Sequence, residues 1–221
     1  MSSGLTAAIA AMRQRSGERT WIDANGSWQT LVATVADLGV SHDDTAALAI
    51  DESVLASPAE TVASNAETLA KALGRVPRAA QKGALLRSLA QWWVKRFGDE
   101  TAPDWPRDLD SLREQLRRVR GVNLEMADRI LLFVAGLPAF PVDRSTMRIV
   151  CRHGWLGPES EYDEWQSLLR RAADDAVSDP RDVSRWMGQI GHDHCGPQPK
   201  CSGCPLERLL PPGGAYEPDA S

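Results

Sequence analysis

The sequence predicts an all-α protein on three observations. Apolar residues recur at helical spacing along most of the 221 residues, as at Leu85, Leu86, Leu89, Trp92 and Trp93. No segment alternates apolar and polar residues in the way of a half-buried strand. Residues that start or stop helices fall at the ends of the periodic runs, among them Ser57-Pro58, Gly74, Asn123, Gly136 and Gly154.

Taken in order, Trp28 to Leu38 forms the first helix by its period. A second opens at Ser57-Pro58, with serine as cap and proline in the first turn, and ends near Gly74. Ala79 to Phe97 is a third. A helix through Leu112, Leu116 and Val119 stops at Gly121, a two-residue hairpin follows, and a helix capped by Asn123 runs to Gly136. Arg144 to Arg152 comes next with Gly154 as its stop, then Tyr162 to Ala176 and Pro180 to Ile190. Residues 211–221 are polar and rich in Pro and Gly, and are expected to be a disordered tail.

The composition is that of an ordinary globular chain, 43% hydrophobic and 25% charged, long enough for one large domain or two small lobes. No apolar run is long enough to cross a membrane, and the first residues lack the basic region of a signal peptide. A cytoplasmic monomer with reduced thiols is the expectation. The net charge of −5 argues against a nonspecific coat for nucleic acid. Arginine is nevertheless concentrated: Arg113, Arg117, Arg118, Arg120, Arg129, Arg144, Arg148 and Arg152 share one short stretch, although solvated helix faces would account for about half of them.

Three blocks carry chemistry. Free N–H groups at the hairpin Gly121, Val122 and Asn123, flanked by Arg117, Arg118 and Arg120, suit one phosphate. A carboxylate, Asp143, follows at a helix start, where the dipole favours negative charge and where it could equally be a plain cap. Cys195, Cys201 and Cys204 leave gaps of five and two residues in a proline-stiffened loop, which reads as a metal site. Zinc with three Cys and one His, an iron–sulfur cluster and a metal-free loop all remain open.

These blocks resemble, in order and at suitable separations, those of the helix-hairpin-helix DNA glycosylases of the endonuclease III superfamily, over roughly residues 25 to 210. Val119-Arg-Gly-Val-Asn-Leu-Glu-Met-Ala127 is similar to that family's Leu-Pro-Gly-Val-Gly-x-Lys-x-Ala block. Val142-Asp143 through Arg148 is similar to its Val-Asp-x-x-x-x-Arg block, and the cysteine segment to its iron–sulfur loop.

The resemblance implies two helical lobes with a cleft between them. Residues 26–137 would form a six-helix barrel lobe with the hairpin; 1–25 and 138–210 would form the second lobe with the cysteine loop. It implies a base-excision repair glycosylase acting on double-stranded DNA with a damaged or mispaired base. Asp143 would stabilise positive charge on the sugar and orient a water. Lys200 and Arg208 would add phosphate contacts. A [4Fe–4S] cluster would be held by Cys195, Cys201 and Cys204, with Cys151, His192 or His194 as the fourth ligand, because Leu210 stands where the family has its last cysteine.

Two further departures matter. Glu125 matches the lysine with which lyase members form a Schiff base, so a monofunctional enzyme with Glu125 and Asp143 in the site is expected, and damaged purines are a reasonable substrate class. Gly39 matches a glutamine that fills the hole left by the extracted base, leaving Leu38, Val40 or His42 as the wedge. The alternative is a non-catalytic protein of the same fold that binds DNA lesions.

Overall fold

The structure is a computed structural model that describes residues 2–18, 27–36, 50–51 and 53–217. The candidate wedge positions 38–42 lie outside the described residues. The described residues form ten α-helices and one 3-10 turn, with no strand beyond an isolated bridge between Cys195 and Pro199. None of these helices is long and apolar enough to cross a membrane. The chain divides into two compact units, Met1–Thr20 with Pro138–Ser221, and Trp21–Leu137.

The central unit holds α2 (Trp28–Ala36), α3 (Pro58–Ala63), α4 (Ala66–Ala72), α5 (Ala79–Phe97), α6 (Leu109–Arg117) and α7 (Leu124–Phe133). The single helix expected from Ser57 to Gly74 is two. Ser64 is extended, and Asn65 caps a new start by accepting the Thr68 N–H at 2.9 Å. A short polar side chain here outcompetes the helix for its own backbone.

Trp28 and Trp93 are fully buried and meet edge to face at 5.4 Å, each with its indole N–H on a carbonyl, Leu55 O and Glu100 O respectively. They are packing anchors rather than exposed stacking surfaces. Trp92 is half-buried, 6.0 Å from Trp105. Lys82, buried within α5, donates to Ala36 O at 2.8 Å and so satisfies a carbonyl at the end of α2.

The other unit holds α1 (Ser2–Ser16), α8 (Arg144–Arg152), α9 (Tyr162–Asp175), α10 (Pro180–Asp193) and the 3-10 turn Glu207–Leu209. The element list drawn from periodicity omits α1, yet its signal is present. Leu5, Ala8, Ile9 and Met12 stand at helical spacing, all are fully buried, and α1 packs on α9 and α10. The C-terminal stretch is described as far as Glu217 and is tied down at Tyr216, whose N–H donates to Arg152 O at 3.0 Å.

Candidate functional site

The connection between α6 and α7 is longer than two residues, because α6 ends at Arg117 and tightens through turn bonds, Val119 N–H to Leu116 O at 2.9 Å and Val122 N–H to Val119 O at 3.1 Å. Gly121 has φ +90°, and a Cβ there would stand 3.3 Å from Leu85 Cδ1 of α5. Glycine thus serves both the backbone angle and the close seat of the hairpin on α5. Asn123 needs no such tolerance. It is extended, φ −93° and ψ −179°, and its side chain accepts the Met126 N–H at 2.8 Å.

Among the described residues the backbone N–H groups of Arg120, Gly121 and Asn123 have no hydrogen-bond partner, whereas that of Val122 is used in the turn and its side chain is buried. Arg118 and Arg120 are exposed and make no ion pair among the described residues. The other arginines nearby are engaged internally. Arg113 Nε meets the fully buried Asp128 at 2.7 Å, Arg117 meets Glu114 at 3.4 Å, and Arg129 meets Glu125 at 3.3 Å. Glu125 therefore enters the site as half of an ion pair in the first turn of α7.

Asp143 is the N-cap of α8, extended at φ −94° and ψ 174°, and it accepts the Thr146 N–H at 2.8 Å. The carboxylate is half-buried. Two contacts that the sequence did not signal hold it in position. Val142 N–H donates to the Tyr162 hydroxyl at 3.2 Å, fixing the residue before it. Gly191 of α10 faces Ser145, and a Cβ at 191 would come within 2.3 Å of Ser145 Cβ, so α8 and α10 approach as closely as two helices with small residues can. The hairpin belongs to one unit and Asp143 to the other.

Cys195, Cys201 and Cys204 line a cavity of about 20 Å³ together with His194, Lys200 and Leu210. Cys151 is absent from that lining. It is buried in the core of its unit, with its thiol pushed up by burial and then by Glu159. Burial also pushes the Cys204 thiol up; the Leu206 N–H at 3.4 Å opposes this, and Cys195 and Cys201 add to it. Arg152 is not solvated but buried. It donates to Cys195 Sγ at 3.3 Å, Gly196 O at 2.7 Å and Pro197 O at 2.8 Å, holding the loop to α8.

Three thiols, with Leu210 at the family's fourth position, supply one thiolate fewer than a four-thiolate [4Fe–4S] cluster takes. No group of three or more His, Cys, Asp or Glu side chains among the described residues is arranged to hold a metal ion. Lys200 and Arg208 are both exposed on this loop, as a role in phosphate contact requires.

No family model matches the chain. A protein of Methanocaldococcus jannaschii, whose name assigns it provisionally to the DNA repair glycosylases, is 24% identical over 129 residues, which is 58% of this chain and 59% of that protein. The chain thus matches about three-fifths of that relative's length. Solved structures extend the likeness over as much as 95% of the chain. A non-covalent endonuclease III–DNA complex gives a TM-score of 0.68 at 19% identity, covering 95% of each chain. A thermostable thymine-DNA glycosylase gives 0.65 at 17%, covering 95% of this chain and 94% of the other. The Helicobacter pylori 3-methyladenine DNA glycosylase bound to 1,N6-ethenoadenine gives 0.61 at 16%, covering 86% and 94%.

Proposed function

We propose, from the premise that this chain has the fold of the helix-hairpin-helix DNA glycosylases, that it is a base-excision repair enzyme. It hydrolyses the N-glycosidic bond of a damaged or mispaired base in double-stranded DNA. Asp143 carries the reading. It is a half-buried carboxylate fixed at the start of α8 by its own cap bond and by the neighbouring contacts of Val142 and Ser145.

In the reaction the bond between the sugar C1′ and the base nitrogen breaks, the electron pair leaves with the base, and C1′ becomes cation-like. The Asp143 carboxylate stabilises that charge. It also accepts the proton of a water whose oxygen bonds to C1′, and the leaving base is protonated in turn. The free N–H groups of Arg120, Gly121 and Asn123, with the two exposed arginines, grip one phosphate of the same strand.

Glu125 has no amine with which to form an imine, so base removal is expected without strand cleavage. Damaged purines are the substrate class we favour. An iron–sulfur group, where one assembles, would be held by the thiolates of Cys195, Cys201 and Cys204, which line the loop cavity together with Leu210 and with His194 as a further donor. No step of the reaction depends on it.

The test is base release from duplexes containing an alkylated purine, uracil, thymine glycol or mismatched adenine. Asp143→Asn should lower release by about a hundredfold or more while leaving duplex binding in place. Full release by that variant overturns the mechanism. A second reading, a lesion-binding protein without catalysis, is favoured by Glu125 and Leu210 at positions where the family has functional residues. Lesion binding by the unaltered protein with no base released from any duplex would select it.

A further inference from the structure

The polypeptide reaches Asp143 along an approach with little hydrogen bonding. Residues 139–143 belong to no helix. Ala139, Phe140 and Val142 are buried. Apolar burial is non-directional, so it anchors those side chains while leaving the peptide planes free to turn. Among the described residues, the Val142 N–H is the one backbone group of 139–142 with a hydrogen-bond partner, and that partner is Tyr162 Oη at 3.2 Å.

Tyr162 is itself firmly seated. It is the first residue of α9, whose N-cap Glu161 forms a capping box with Glu164; the Glu161 N–H donates to Glu164 Oε2 at 2.9 Å. Three residues on, Trp165 is 1% exposed and donates its indole N–H to Ser160 O at 3.0 Å, closing the segment before the helix. The half-buried Tyr162 ring packs against the core cluster that contains Phe140 and Val142. Tyrosine has only two side-chain torsions, so a ring held in this way leaves its hydroxyl little freedom. A phenylalanine would fill the same space, but the hydroxyl alone supplies the acceptor. Tyr162, Val142 and Asp143 all belong to one compact unit.

We propose that Tyr162 is a positioning residue for base release: by accepting the Val142 N–H, its hydroxyl fixes the peptide that leads into Asp143, and with it the direction of the carboxylate. The proposal rests on the glycosylase reading, in which Asp143 meets the sugar. The Thr146 N–H holds Asp143 on its helix side, and the close approach of Gly191 to Ser145 holds α8 itself. Tyr162 supplies the restraint from the opposite, N-terminal side. A group that stabilises charge has to be in place before the transition state forms. A misplacement on the order of 1 Å costs up to about a hundredfold in rate. The hydroxyl therefore acts through Asp143.

The experiment is single-turnover base release by the full chain, on the duplex of the lesion panel that the unaltered protein processes, with duplex affinity and melting temperature measured beside it. Tyr162→Phe should lower the rate about tenfold, equivalent to about 1.4 kcal/mol, with duplex affinity unchanged. Tyr162→Leu also removes the ring; it should lower the melting temperature further, but the rate no more than Tyr162→Phe does. In an Asp143→Asn background, Tyr162→Phe should take nothing more from the residual rate, because both changes act on one group. An unaltered rate in Tyr162→Phe, even where Tyr162→Leu is slow, assigns Tyr162 to packing and overturns the proposal, while the glycosylase reading stands. A tenfold loss that persists in the Asp143→Asn background overturns it as well. No base released by the unaltered protein from any duplex overturns both.

Discussion

Arg113 Nε lies 2.7 Å from Oδ1 of Asp128, a carboxylate with no exposed surface, and the pair ties α6 to α7 on either side of the hairpin. The loop between α6 and α7 is held by this bond as well as by the turn at Gly121. Asp128→Ala takes the 2.7 Å partner from a largely buried Arg113 cation, leaving it the exposed Asp110 at 3.7 Å, and should cost up to about 3–5 kcal/mol of stability. Urea unfolding measures it. A loss under about 1 kcal/mol would mean that the pair behaves as a solvated one.

Position 125 tests the proposal of hydrolysis without strand cleavage. Glu125→Lys puts an amine in the first turn of α7, four residues from Arg129, whose charge favours the neutral, nucleophilic form. The variant is expected to give a borohydride-trapped adduct with abasic duplex DNA, and the unaltered protein none. Trapping by the unaltered protein would reveal another amine at the site.

The cysteine loop is expected to hold its shape through Arg152. Arg152→Met removes the donors to Cys195 Sγ, Gly196 O and Pro197 O, and each hydrogen bond lost from these partly exposed carbonyls costs about 1 kcal/mol. Limited proteolysis should then cut within residues 195–204. Protein purified anaerobically should contain no stoichiometric iron or acid-labile sulfide. A full four-iron complement would mean that a ligand other than cysteine, His194 first, closes the shell.

Acid should weaken the fold through Asp179. Burial pushes this carboxyl up, but the hydrogen bonds and charge of Arg181 outweigh it and hold it below the ordinary 3.8. Arg181 Nη2 stands 2.6 Å from Oδ2, and the Arg181 N–H donates to Oδ1 at 2.8 Å as the cap of α10. The folded value is below the unfolded one. The contribution is therefore whole above the unfolded value and disappears as pH falls through the folded value. Asp179→Asn keeps a capping oxygen without the charge, and should flatten the acid limb of a melting-temperature profile. An unchanged limb would assign it to other carboxylates.

Much of the local architecture was legible in the sequence. Ala79–Phe97 and Arg144–Arg152 fall where period and stop residues put them, and Asn123 and Asp143 cap the helices they precede. These are properties of a few neighbouring residues: helical period, a side-chain oxygen three positions before an N–H, a glycine at positive φ. Where two local signals competed, as at Ser64 and Asn65, the period gave the wrong count, because a cap oxygen can end one helix and begin another.

The sequence by itself determined the helical class, the free N–H groups of Gly121 and Asn123 and the capping carboxylate Asp143, since each arises from contacts within one or two turns; the longer connection and the use of the Val122 N–H it did not show. Only the tertiary structure decided which arginines are free. Arg113 and Arg152 look no different in the chain from Arg118 and Arg120, yet one is consumed by Asp128 and the other by a loop more than forty residues away. It also put Leu210 rather than Cys151 beside the three loop thiols. Such partners are chosen by packing between distant helices, and pairwise charge and burial at long range leave no periodic trace in the order of residues.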